Sequence, residues 1–217
     1  MNARNFIQTI GCTFALLAFV GCATRQPYDY TNYRQHPPRS ILVLPPLNES
    51  VDVQATYGYL STVTLPLAEL GYYVFPVQVV DQFLKENGMP TAGEMHQVPL
   101  SKVSEIIGAD AVLYVTIQQY GSKYQVINSA TLVRVKAKLV DTKTGILLWE
   151  GAGEAQENSG GSGSLIGDMI SAAITQAINS GTDAAHDTCR QANENLFYTK
   201  NYGLLYGPYS PQYGKAK

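Results

Sequence analysis

The spacing of apolar positions changes period several times along the chain. Ile41-Leu42-Val43-Leu44 is apolar throughout and is ended by Pro45-Pro46, which predicts a short strand buried on both faces. From Ala55 to Leu70 the apolar residues Tyr59, Leu60, Val63, Leu67 and Leu70 recur at helical spacing, with Gly71 as a stop. Pro66, inside that pattern, is expected to kink the helix or end its regular part. Tyr72 to Phe75 reads as a short strand, Val77 to Leu84 as a helix closed by Asn87-Gly88, and Leu100 to Ile107 as a second helix stopped by Gly108. Ala111 to Gln119 is rich in β-formers. Gln125 to Val140 alternates, with Val133, Val135, Ala137 and Leu139 on one face and Arg134, Lys136 and Lys138 on the other. Asp141 to Gly145 has hairpin-turn residues with glycine at the positive-φ position, and Ile146 to Glu154 returns as the partner strand. A serine-glycine loop, Ser159 to Ser164, leads into a helix with Leu165, Ile166, Met169, Ile170, Ala173, Ile174, Ala177 and Ile178 on one stripe. This order predicts a single α/β domain: a mixed sheet with an antiparallel meander and helices packed on it.

The two ends break the pattern. Arg4 supplies a small positive charge ahead of a mostly apolar stretch, Phe6 to Val20, which is too short to span a membrane and right for a signal peptide. It ends in Phe19-Val20-Gly21-Cys22, similar to the lipobox of bacterial lipoproteins, with Phe19 in place of the favoured leucine. The alternative is a signal peptide cut elsewhere beside an incidental cysteine. On the lipobox reading, residues 1–21 are removed and Cys22 carries the acyl chains. Several chains make attachment effectively permanent, since each buried methylene is worth about 0.8 kcal/mol. Ala23 stands where inner-membrane retention commonly uses aspartate, so the expected destination is the outer membrane, with the chain facing the periplasm. Residues 23–39 contain Pro27, Pro37 and Pro38 and no period, and read as a flexible tether following Cys22. Its span as a coil is roughly 23 Å, so the domain, residues 40–197, is held near the membrane without having to touch it. Residues 198–217 form a Tyr/Gly/Pro-rich tail with Tyr198, Tyr202, Tyr206, Tyr209 and Tyr213.

Composition narrows the function classes. The 217 residues are 45% hydrophobic and 15% charged, which excludes disorder of the whole chain. A net charge of −2 argues against a nucleic-acid partner, which calls for a basic footprint. Of the three cysteines, Cys12 leaves with the signal and Cys22 is consumed by lipid, so Cys189 has no internal partner for a disulfide.

Three motifs together carry a resemblance: Ile107-Gly108-Ala109-Asp110-Ala111 entering a strand, Leu139-Val140-Asp141-Thr142-Lys143-Thr144-Gly145 at the hairpin, and Leu148-Trp149-Glu150 in the return strand. They resemble the periplasmic α/β domain shared by curli-secretion-channel lipoproteins and the amino-terminal domain of the Tol-system propeller protein, over roughly residues 40–181. With the lipobox and tail, the whole chain more closely resembles a family of bacterial lipoproteins whose members tend to accompany a curli-channel-like lipoprotein. The resemblance implies a non-enzymatic envelope component with a protein partner of that kind, no cofactor and no catalytic residues to carry over. The long paired segments of a transmembrane barrel are missing from the pattern, so the chain is not expected to be a channel itself.

The candidate chemistry is thin. Gly161 to Gly167 opens a helix where a phosphate could sit, but its spacing is GxGxxxG and Asp168 opposes an anion in the first turn. Asp183, His186 and Asp187 would share one helix face near Cys189, so a metal or a Cys-His pair competes there with a plain solvated helix. A small-ligand-binding or hydrolytic domain built on one of these two segments is the alternative function. His36 and His96 sit in proline-bearing loops without a nearby acid, and no metal site is expected. The stripe Arg134, Lys136, Lys138 reads either as a wet strand face or as a surface for an anionic partner. Partner contacts are expected from Tyr198, Tyr202, Tyr206 and Tyr209, in a tail that either wraps its own domain or docks on another chain. The helix over 165–178 either simply packs on the sheet or uses its small face, Ser171, Ala172 and Thr175, as a second seam for self-association or a partner.

Overall fold

The structure is a computed structural model that describes residues 27–124, 129–158 and 181–215. The elements run in the order α1 (Thr31–Gln35), β1 (Ser40–Val43), β2 (Leu47–Asn48), α2 (Ala55–Glu69), β3 (Tyr73–Val74), α3 (Val77–Glu86), α4 (Ala92–Met95) and α5 (Leu100–Lys102). Then α5 continues into a π-helical turn, Val103–Ile107, followed by β4 (Ala111–Gln119), β5 (Ser122–Tyr124), β6 (Ser129–Asp141), β7 (Leu147–Asn158) and α6 (Gly181–Tyr198). This is the expected mixed α/β sheet with a meander.

The parallel half comes first. β1 lies between β3 and β4, parallel to both, and β2 extends the same lane along β4, where Leu47 pairs with Thr116. The antiparallel half follows: β4 and β5 pair with β6, and β6 pairs with β7 from Ala130↔Asn158 to Val140↔Leu147. The turn between β6 and β7 is the predicted one. Asp141 Oδ1 accepts from the Lys143 and Thr144 N–H groups at 3.1 and 2.7 Å, and Gly145 takes φ +72°, where a side chain would be strained.

The all-apolar run of β1 has a direct reason. Ile41 and Val43 face a core formed by Tyr59, Val63 and Leu67 of α2, by the odd-numbered residues of β4 and β6, and by Cys189, Ala192 and Phe197 of α6. Leu42 and Leu44 face a second, smaller core with Val80 and Leu84 of α3, Met95, Val103 and Val112. Helices therefore cover both faces of the parallel half, as a doubly wound arrangement requires. Beyond Val112 the second face opens: Tyr114, Thr116 and Gln118 are half-buried, and Lys136, Lys138, Glu150 and Ala152 are exposed.

Two details differ from the sequence reading. Helix α2 continues to Glu69, three residues past Pro66: the proline removes one backbone bond, while buried Val63, Pro66 and Leu67 hold the turn against the sheet. Residues 27–39, expected to be a tether, pack on the domain. Tyr30 is 8% exposed and Tyr33 3%, and the Tyr28 N–H donates to the Asn201 carbonyl at 3.0 Å. Aliphatic periodicity is absent there because isolated tyrosines, each with a hydroxyl partner, make the contacts. The helix read over 165–178 lies outside the described residues.

Where α6 crosses β7 the backbones are nearly in contact. A Cβ on Gly153 would lie 2.3 Å from the Ala192 carbonyl oxygen, so Gly153→Ala is expected to force α6 off the sheet and cost about 1–3 kcal/mol. Urea unfolding of the two proteins side by side measures the loss.

Candidate functional site

The amino-terminal segment from Pro27 and the tail meet across the end of the sheet where β1, β3 and β4 begin, and build a tyrosine-rich seam. Tyr30 Oη donates to the Gly203 carbonyl at 2.5 Å, and Trp149 Nε1 on β7 donates to the neighbouring Tyr202 carbonyl at 2.8 Å. Tyr33 and Tyr72 share a hydrogen bond of 2.5 Å between hydroxyls, and Tyr72 Oη donates to the Leu205 carbonyl at 2.6 Å. The Gly207 N–H then donates to the Leu70 carbonyl and the Tyr209 N–H to that of Gly71, so the tail follows the end of α2. Between the amino-terminal segment and the tail runs a groove of about 480 Å³, lined among others by Tyr28, Arg34, Tyr206, Tyr213 and Lys215. Burial pushes the Tyr30 and Tyr33 hydroxyls up to about 12.

A second hollow, about 750 Å³, lies over the open sheet face and the β7 edge, with Glu49, Thr116, Gln118, Lys136, Lys138 and Glu150 in its wall. The basic stripe of β6 faces an acidic one on β7. Arg134 grips Glu154 through two nitrogens at 2.8 and 3.0 Å, and Lys138 stands opposite Glu150. That fork holds the Arg134 guanidinium in its charged form and lowers the Glu154 carboxyl. Among the described residues β7 pairs with β6 alone, so it forms an edge. Two of its outward backbone groups are already met: the Glu150 N–H by Tyr28 Oη at 3.1 Å and the Glu154 carbonyl by Asn195 Nδ2 at 2.8 Å.

The candidate catalytic pieces do not come together. Cys189 is fully buried between α2 and α6, with its Sγ 3.3 Å from Thr62 Oγ1, which also accepts from Asn193 Nδ2 at 3.0 Å. His186 is exposed on another face of α6, 3.9 Å from Asp187. Burial pushes the Cys189 thiol up to about 11, the opposite of what a nucleophile needs. His96 follows α4, donates to the Pro45 carbonyl at 2.9 Å and meets Tyr114 edge-on at 5.2 Å; burial lowers its pKa, so it is a neutral packing group. Among the described residues no group of three His, Cys, Asp or Glu side chains could hold a metal, and no helix is long and apolar enough to cross a membrane.

Of the expected partner residues, Tyr198 ends α6 with Oη 2.6 Å from Glu69 Oε2, Tyr202 lies under Trp149, Tyr206 lines the groove, and Tyr209 is 67% exposed. Cys22, the Gly161–Gly167 loop, and Ser171, Ala172 and Thr175 lie outside the described residues. The sequence reading missed Tyr28, Tyr30, Tyr33 and Arg34. Their signal was composition alone: aromatic residues at both ends of a chain whose middle supplies the aliphatics.

The family model described as "Putative lipoprotein GNA1162-like" matches residues 28–209, a range that takes in both sides of the seam. The chain belongs to that family. It is 44% identical, over 199 residues covering 89% of this chain and 92% of the relative, to "Putative lipoprotein NMB1124/NMB1162" of Neisseria meningitidis serogroup B strain MC58. The crystal structure of lipoprotein GNA1162 from Neisseria meningitidis is similar with a TM-score of 0.54 and 49% identity, covering 66% of this chain and all of that one. The PelC dodecamer from Paraburkholderia phytofirmans is more distant, at a TM-score of 0.45 and 13% identity over 84% of this chain and 95% of its own.

Two measurements check the seam and the buried thiol. Tyr30 and Tyr33 ionise at about 12 in the folded chain, above the ordinary 10 of the unfolded one. Their contribution to stability is therefore complete below pH 10 and lost as pH rises toward 12. Unfolding at stepped alkaline pH should show this fall, and Tyr33→Phe should make it shallower without removing it. Iodoacetamide at pH 8 should leave Cys189 unmodified in the native protein and label it fully in denaturant.

Proposed function

We propose that this chain is a non-catalytic lipoprotein of the bacterial outer membrane, held by acyl chains on Cys22. Its periplasmic α/β domain then serves as a binding or assembly component of a secretion, transport or envelope complex. The observation that carries the reading is the match to a lipoprotein family over 28–209 in a chain that has a lipobox-like Phe19-Val20-Gly21-Cys22 just ahead of that range. The domain offers contact surface of two kinds: the open, charge-laddered face of β6 and β7, and the tyrosines of the tail. Neither resembles a reaction centre, and the cysteine that sequence alone left as a candidate nucleophile is sealed in the core. A protein partner such as a curli-channel-like lipoprotein, or a second copy of the chain, fits such a surface better than a small substrate.

Metabolic labelling with a fatty acid should mark the wild-type chain and not Cys22→Ser. Crosslinking in intact cells followed by identification of the attached chains should capture an envelope protein or a second copy. A chain that captures neither, or label that persists in Cys22→Ser, overturns the corresponding half of the reading.

A further inference from the structure

We propose that the seam end of the domain lies flat on the membrane that holds the anchor, with its grooves turned to anionic phospholipid headgroups. This rests on the lipid anchor at Cys22 proposed above. The argument begins with chain length. The backbone is fixed from Tyr28 onward by its bond to Asn201 and by the buried Tyr30 and Tyr33. Only residues 23–26 separate Pro27 from Cys22. Five steps of extended chain reach at most about 18 Å. An acylated Cys22 sits at the headgroup level, so the Pro27 end of the domain stands within that distance of the membrane, whatever path the four residues take.

The surface at that end has the chemistry of an interface with anionic lipid. Arg34 and Lys215 flank the groove of about 480 Å³, and Arg39 and Lys143 flank a smaller hollow of about 380 Å³ that shares Pro37 with it. All four are exposed, and among the described residues none makes an ion pair. The carboxylates between them are occupied by the protein itself. Asp29 accepts from the Thr31 N–H and hydroxyl, at 2.9 and 2.6 Å. Asp110 accepts from the Arg39 and Ser40 N–H groups, at 3.0 and 3.1 Å, and Asp141 from the turn amides. Four exposed cations thus stand at this end against three carboxylates, each engaged by backbone groups through one oxygen, which leaves an excess of positive charge. Tyr213, 46% exposed in the tail, and Tyr73, 52% exposed beside the start of β1, add amphipathic rings of the kind that settle at headgroup depth. Basic side chains near an anionic leaflet each strengthen contact by roughly fivefold.

The opposite end provides a control. β1 and β4 run away from the seam, and the loop after β2 carries Val51 at 101% exposure, beyond the far end of the parallel strands. The test uses full-length acylated protein, after fatty-acid labelling of Cys22 has been established, in vesicles of phosphatidylethanolamine and phosphatidylglycerol. A fluorophore is placed at Gln212→Cys or Val51→Cys, with Cys189 buried and silent, and is quenched by a lipid spin-labelled on its headgroup. Quenching is expected to be at least about twofold stronger at 212 than at 51, because about 20 Å of strand separates the two ends. Arg34→Glu with Lys215→Glu should weaken quenching at 212, while the short link to Cys22 still keeps this end nearer the membrane than position 51. Equal quenching at the two positions in acylated protein overturns the orientation and leaves the anchor standing, as does quenching at 212 that the double substitution leaves unchanged. Self-quenching between 212 labels with no response to the lipid quencher assigns the face to a second copy and also overturns it. Absence of acyl label overturns the anchor and the orientation together.

Discussion

The chain closes on itself through three adjacent carbonyls. Asn201, Tyr202 and Gly203 accept from the Tyr28 N–H, the Trp149 indole and the Tyr30 hydroxyl, so the first described residues, the edge strand and the tail are joined at one place. Each of these donors would otherwise be stranded against apolar surface, at a cost of about 1–3 kcal/mol per unmet group. Once the three bonds are made, Tyr33 and Tyr72 can bury their rings with their hydroxyls satisfied, and the tail has one path along the end of α2. The amino-terminal segment, which has no aliphatic stripe of its own, is ordered by this clasp.

The clasp also divides the molecule's surfaces by task. One sheet face is sealed by α2 and α6 and holds Cys189 out of reach of solvent. The other is sealed only over the parallel strands, where α3 and α4 cover Leu42, Leu44 and Val112. The remainder stays polar, laddered by Arg134 with Glu154 and by Lys138 opposite Glu150, and its backbone edge is partly blunted by Tyr28 and Asn195. Such a face suits a partner that brings its own charge pattern and discourages indiscriminate strand pairing.

Much of the fold was legible because its signals are local. The apolar run at 41–44, the alternation through 133–139 and the turn at 141–145 each impose a period or a dihedral that few alternatives satisfy. Gly145 sits where the turn residues placed it. Pro66 does not end the helix, because the local rule weighs one lost backbone bond, whereas Val63 and Leu67 on either side are anchored in the core. The seam was invisible for a different reason. Tyr30 and Gly203, or Trp149 and Tyr202, are brought together only by the finished sheet, and no spacing along the chain marks them. By sequence the first segment reads as a loose tether, and the tail as one that wraps its own domain or docks on another chain, because each is aperiodic; each is the other's missing layer.

That mutual dependence has a kinetic side. The Tyr30–Gly203 bond spans 173 residues of sequence. Closing so long a loop is slow, and its entropy is recovered only when both ends are present. The strands and α2 can assemble while the chain is still emerging, but the edge of the sheet and the amino-terminal segment must wait for the last residues. Until then Trp149 and the tyrosine rings stay open to solvent and to chaperones. Residues 201–203 therefore complete the fold, and a chain cut short before Asn201 is expected to keep its sheet while leaving the donors of Tyr28, Tyr30 and Trp149 unmet.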